Sequence, residues 1–389
     1  QDVSTNDVRR VARDYLTPSN LTIGMLHPND RKGSITDGKI KSAVAAASLP
    51  PRGKRAARRT VTPAVPEGES STTRTVLKNG VRLLVRENHT SPIVAFRCVL
   101  NGGVRYEDEN NNGINNFIAE MLTKGTKKRS AIQIARETEA IAGHLDGFAG
   151  RNNIGAYGEF LSKHFDQGLD LVSDILLNPS FRKGELEKKR RDIFSSLRQQ
   201  QDNPGQLAFL EFARTLYLKH PYRLNVQGSF ESIATLDKSK LERYYDRVIT
   251  PETLVVSVVG DVDTEEVMES VTHSFEGLRP SKALLPSAQS EPRQKRVRVK
   301  EIHREKEQAH IIMGFLGARV TDKNRYPLMV LNAMLSGQGG RLFMELRDKM
   351  SLAYSVTSFS QEGIDPGYFG VYMGTSPEKV EAAIDAIKT

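Results

Sequence analysis

Apolar residues recur at alternate positions in several short runs of the chain. Thr75-Val76-Leu77 and Val81-Arg82-Leu83-Leu84-Val85 flank Asn79-Gly80. Such a pattern predicts a hairpin closed by a type I′ turn, because Asn-Gly accepts the positive φ angles that turn needs. Ile93–Leu100 and Leu254–Val259 read as further strands. From the loop Asn101–Arg105 to Phe181 the pattern is helical with strand insertions. A long polar helix is predicted from Lys183 to Gln201, stopped by Asn203-Pro204. Pro280, Pro286 and Pro292 punctuate a charged stretch. Beyond it a second unit opens with Arg296–Ile302 and His310–Phe315 and reaches Thr389 within a helical pattern.

The first 30 residues carry their own signal. Val8, Val11, Ala12 and Tyr15 fall at helical spacing, Thr17-Pro18-Ser19-Asn20 breaks the helix, and Leu21–Leu26 reads as a strand. A similar helix, turn and strand recurs at Leu241–Gly260, a weak internal repeat. Residues 1–30 are therefore expected to be the tail of a preceding module, and the chain a fragment or a processed product. Residues 31–71 read as a basic Pro/Ala linker, 72–283 as one domain and 284–389 as a partial second domain.

Charge sharpens this division. Of the net +9, the stretch 31–60 carries +8, with nine basic side chains and one acid. No aromatic residue is interleaved there, so nothing supports base stacking on nucleic acid. Its composition reads as an exposed linker rather than a membrane contact. With 38% hydrophobic and 26% charged residues, the 389-residue chain can bury a core. The single cysteine, Cys98, excludes a disulfide framework and a thiolate zinc cluster. Scarce cysteine fits a bacterial periplasm or envelope, with an organelle as the other compartment.

The chemistry is concentrated in Gly113-Ile-Asn-Asn-Phe-Ile-Ala-Glu-Met-Leu-Thr-Lys-Gly-Thr126. Ile114, Phe117, Ile118, Met121 and Leu122 form one apolar helical face, and Asn116 and Glu120 share another. Two histidines at such positions would chelate zinc beside a glutamate base. This frame resembles the active-site helix of the insulinase/pitrilysin family of zinc metallopeptidases, which includes the mitochondrial processing peptidase. The family's motif is His-x-x-Glu-His. The resemblance places its first histidine at Asn116, its glutamate base at Ala119 and its second histidine at Glu120. The third ligand, a glutamate on the following long helix, falls at Ser196. Asn is a poor zinc ligand and Ala cannot take a proton. None of the eight histidines has another four residues away. The sequence thus reads as a degenerate copy that binds no cofactor itself, zinc being expected in a catalytic half elsewhere.

Further matches extend the resemblance over residues 72–389. His220-Pro221-Tyr222 with Gly228 resembles a family segment in which the histidine is structural. Gly339-Gly340-Arg341-Leu342-Phe343 through Tyr354-Ser355-Val356 resembles the family's substrate-gripping segment, with Leu342, Phe343, Leu346 and Met350 as a helical apolar stripe. In that resemblance Arg347 and Tyr354 are the substrate-binding pair, able to donate hydrogen bonds to an oxyanion. Arg341 is read as structural. The family's peptide-pairing edge strand corresponds to Leu145–Ala149, where Asp146-Gly147 weakens the case for β-addition.

The implied fold is α+β, with two domains of the LuxS and mitochondrial processing peptidase type. Each is a mainly antiparallel sheet packed with helices, and the second is truncated. The implied function is the inactive half of a peptidase, walling a chamber and gripping substrate. Its partners would be a catalytic half, on the same polypeptide or another subunit, and a peptide. A scaffold module like the respiratory-complex core proteins and a peptide-binding shell are the alternatives.

Overall fold

The computed structural model describes residues 72–388, apart from 281–284, 286, 293–296 and 305–306. The expectations for residues 1–30 and 31–71 lie outside the described residues. Residues 70–389 form one compact unit.

Its larger sheet has six strands: β1 (Thr73–Val76), β2 (Arg82–Glu87), β3 (Ile93–Asn101), β4 (His144–Ala149), β5 (Asn153–Leu161) and β6 (Val255–Gly260), in the order β1-β2-β6-β3-β5-β4. Every pairing is antiparallel except β2 with β6. β6 arrives from far along the chain and slots between β2 and β3, so the strand read as closing the unit is central to it. In β3, Val94, Phe96, Cys98 and Leu100 are buried while their neighbours are not. That alternation puts the core on one face of the sheet. The helices α1 (Ile114–Leu122), α2 (Ala131–Ala140), α3 (Phe165–Leu177), α4 (Lys183–Asp202), α5 (Pro204–Leu216), α6 (Phe230–Thr235), α7 (Lys238–Val248) and α8 (Thr264–Phe275) follow. Ile118 and Leu122 of α1, Val172 and Ile175 of α3, Leu241 of α7 and Val271 of α8 join that core. Cys98 is buried with them, and burial pushes its thiol up to about 12.

The β1–β2 hairpin forms, but its turn is not type I′. Gly80 N–H donates to the Leu77 carbonyl at 2.8 Å, and Gly80 alone in the turn takes positive φ, +99°. That is the pattern of a turn followed by a glycine bulge. Asn79 keeps negative φ because its side chain is otherwise engaged: Nδ2 donates to Phe275 O at 2.8 Å, and Oδ1 accepts from Val81 N–H at 3.3 Å.

A second sheet of three antiparallel strands holds β7 (Ala309–Leu316), β8 (Ser355–Gln361) and β9 (Tyr368–Thr375), in the order β7-β9-β8. Helices α9 (Arg325–Leu335) and α10 (Val380–Lys388) accompany it. Residues 297–304 contain no strand, so this unit begins its sheet at β7.

The two sheets meet on aromatic and charged groups. Leu216, Tyr217 and Tyr222 are buried against Leu316 and Tyr368. Asp365, in the β8–β9 loop, accepts from Arg105 Nε at 2.6 Å and from His220 Nε2 at 3.1 Å. His220 Nδ1 accepts from Tyr222 N–H at 3.1 Å, which leaves the ring proton on Nε2, facing the carboxylate. Glu291 accepts from three successive backbone N–H groups, of Leu218, Lys219 and His220, at 2.9 to 3.1 Å.

Candidate functional site

Helix α1 is placed by a buried carboxylate. Glu107 Oε2 accepts from Gly113 N–H at 2.8 Å and Asn112 Nδ2 at 2.9 Å. Its Oε1 accepts from Asn115 N–H at 3.1 Å and Asn115 Nδ2 at 2.8 Å. An acid at a helix N-terminus satisfies free N–H groups and favours the helix dipole. Burial pushes the Glu107 carboxyl upward, against the pull of these four donors. On its far side α1 touches the edge strand. A Cβ on Gly147 of β4 would lie 2.1 Å from Ala119 O. Gly147 therefore serves a close helix–strand approach, a role that sequence reading took for strand weakness. β4 is the edge of its sheet, paired only with β5.

The four positions that the family resemblance assigns to the motif lie on α1 (Asn116, Ala119, Glu120) and α4 (Ser196), two helices that pack on each other. Asn116 is half-buried and Ala119 is buried against Gly147. Glu120 is committed to Lys189 of α4, Oε2 to Nζ at 2.9 Å. Ser196 exchanges hydrogen bonds with Gln227, at 3.2 Å as donor and 3.0 Å as acceptor. Beside it opens a recess of about 430 Å³ lined by Ser196, Gln199, Gln200, Asn203, Gln206 and Gln227. No charged group lines it. Among the described residues no three His, Cys, Asp or Glu side chains gather as a metal-holding group. A zinc ion does not fit this set: one amide, one methyl, one carboxylate already paired with an ammonium, and one hydroxyl already paired with an amide.

The second candidate segment departs from an α-helix. Phe343–Lys349 is a π-helix, and Met350 N–H reaches back five residues to Glu345 O at 3.0 Å. The wider turn changes the expected stripe: Leu342 and Leu346 are buried, Phe343 half-buried, and Met350 exposed. π-turns of this kind are frequent at functional sites. Arg347 is exposed, with its guanidinium 4.6 Å from the centre of the Phe343 ring, a cation–π contact that orients it. Ser351 takes φ +51° and turns the chain. Tyr354 N–H then docks on Gly374 O of β9 at 2.8 Å, leaving the side chain 59% exposed. Arg347 and Tyr354 thus stand at a helix end and a strand start of one short segment, both open to solvent.

Several of these features had no sequence signal. Asp365 lies 145 residues from His220, and Lys189 is one basic residue among many on a polar helix. Glu107 had a weak one, the first of three successive acids (Glu107-Asp108-Glu109) shortly before the glycine that opens α1.

Sequence comparison places this arrangement. Residues 82–228 match the profile described as insulinase (peptidase family M16), and residues 235–389 that described as the peptidase M16 inactive domain. A Streptomyces coelicolor protein named uncharacterized zinc protease is 31% identical over 319 residues, covering 80% of this chain and 70% of that protein. A zinc protease of Bacillus subtilis, likewise named uncharacterized, is 29% identical over 315 residues, covering 80% and 75%. Among solved structures, the peptidase M16 inactive domain from Pseudomonas fluorescens superposes with a TM-score of 0.77 at 22% identity, over 82% of this chain and 77% of that one. A protease from Helicobacter pylori gives 0.77 at 21% identity, over 82% and 79%. These structures share the α+β peptidase fold. The chain belongs to the insulinase, or M16, family of peptidases.

Proposed function

We propose that this chain is the non-catalytic half of an insulinase-family zinc peptidase. It forms one wall of a closed chamber and grips a peptide with Arg347 and Tyr354. The observation that carries this reading is the state of the four motif positions. They are occupied by an ion pair, a serine–glutamine exchange, an amide and a methyl, while Arg347 and Tyr354 stay exposed.

A catalytic half, on the same polypeptide or a partner subunit, would hold the zinc, which would supply an activated water. What this chain adds is hydrogen-bond donation. The Arg347 guanidinium and the Tyr354 phenol both carry donors that a scissile carbonyl oxygen accepts as it gains charge. The Arg347 guanidinium offers several N–H donors in a fixed planar fork. Its contact with Phe343 limits the rotamers it must give up on gripping substrate. The open edge of β4 offers backbone groups to an extended peptide, with Gly147 fixed by α1 rather than free to bend.

The purified chain alone is expected to leave an unstructured peptide uncut. Hydrolysis that a chelator abolishes, with contaminating proteases excluded, would overturn the proposal.

A further inference from the structure

Glu120, at the second-histidine position of the resemblance, is paired with a cation of the chain's own. Lys189 Nζ lies 2.9 Å from Glu120, at the second-histidine position, and 3.5 Å from Asp192. Lys189 stands seven residues before Ser196, the third-ligand position, so two turns of α4 put both on one face. The ammonium is the enclosed member of the cluster: its side chain is 17% exposed, against 47% for Glu120 and 67% for Asp192. A single ammonium thus bridges α1 and α4, the two helices that the family joins through a metal ion.

We infer that Lys189 is a tethered cation that stands in for the metal. It neutralises Glu120, holds α1 against α4, and bars a divalent ion from this place. Burial would push the Lys189 ammonium down, but the hydrogen bond and charge of Glu120, with Asp192 behind it, hold it above its ordinary range. The lysine therefore keeps its charge throughout the neutral range. This inference rests on the family's ligand positions and on the Glu120–Lys189 pair. It is independent of the Arg347 and Tyr354 grip.

It has a consequence that a merely decayed site lacks: restoring the ligands is not enough. Two variants of the purified chain test it. The first carries Asn116→His, Glu120→His and Ser196→Glu with Lys189 kept. The second adds Lys189→Gln. Zinc is measured by equilibrium dialysis against a zinc buffer with metal analysis, and circular dichroism checks the fold. The variant with Lys189→Gln is expected to hold one zinc per chain at least about 100-fold more tightly than the variant that keeps Lys189. That ratio reflects the repulsion between an ammonium and a dication in a partly buried place. Equal affinities would overturn the inference. If the ligand-bearing variants do not fold, Lys189→Glu alone gives the answer, since it sets a third carboxylate beside Glu120 and Asp192. Zinc is then expected to raise its melting temperature and to leave the unaltered chain unmoved. A zinc response no larger than that of the unaltered chain would overturn the inference equally.

Discussion

Replacing Asp365 by alanine is expected to loosen the second sheet from the first. One oxygen of this carboxylate accepts from both Arg105 and His220, at 2.6 and 3.1 Å. The Arg105 side chain is 18% exposed and that of His220 2%. Without Asp365 the His220 Nε2–H loses its acceptor. Breaking one side of a buried charge pair costs about 3–5 kcal/mol, and an unpaired buried N–H about 1–3 kcal/mol. The two losses share one oxygen, so they do not add in full. Arg105 also keeps its bond to Tyr106 Oη at 2.9 Å. A net loss of about 3 kcal/mol follows, lowered from the upper figures because Asp365 is 20% exposed. The sheets should stay docked, because Tyr217, Tyr222 and Tyr368 remain packed and Tyr217 Oη still donates to Pro366 O at 2.9 Å. The expected result is local opening of the second sheet, raised about 10²-fold. Hydrogen exchange by mass spectrometry reads this directly. Peptides from β7–β9 should exchange faster and those from β3, β5 and β6 should not. Asp365→Asn, which keeps one acceptor, should show a smaller change. Unchanged exchange in β8 and β9, or an even rise across both sheets, would refute the assignment of this loop as the clasp.

Two further outcomes follow from the same geometry. Gly147→Ala is expected to destabilise the chain by about 1–3 kcal/mol, the usual cost of overpacking, since its Cβ would press on Ala119 O at 2.1 Å; an unchanged melting temperature would contradict the tight α1–β4 approach. Mild acid is expected to weaken the clasp. Burial holds the His220 imidazole below its ordinary range despite Asp365, so the unfolded chain takes up a proton that the folded chain refuses as pH falls through about 6.5. Burial pushes the Asp365 carboxyl up, but the hydrogen bonds of Arg105 and His220 prevail and hold it below its usual range. Its stabilisation is therefore present above the ordinary carboxylate range and lost as pH falls through it. Urea midpoints should fall in these two windows, and Asp365→Asn should remove the lower component; midpoints that do not change with acid would contradict both signs.

Much of the fold was legible because it is written in local periodicity. The alternation in Ile93–Leu100 and the stripe Ile114, Phe117, Ile118, Met121 and Leu122 each state which face is buried. The polar run from Lys183 ends where Asn203-Pro204 must end it, and the helix observed is Lys183–Asp202. What escaped depends on groups distant in sequence or on a change of helical pitch. Asn79-Gly80 suggested one turn type, but the bond from Asn79 to Phe275, 196 residues away, selects another. The stripe from Leu342 to Met350 assumed an α-helical period, and the π-turn moves Met350 out of it. At the motif positions the family resemblance says which residues stand where the ligands would. It does not show that Glu120 meets Lys189 or that Ser196 meets Gln227, because those partners sit on other elements.

The central claim, that this chain grips substrate for a catalytic half, is tested most directly by peptide hydrolysis in the complete assembly, unaltered against Tyr354→Phe. The phenol is exposed and, among the described residues, makes no hydrogen bond, so the variant should melt at the same temperature and carry the same zinc. The expected result is a kcat lower by about 10²–10³-fold, the loss typical of one oxyanion donor. An unchanged kcat in a fully folded, zinc-replete assembly would contradict the account.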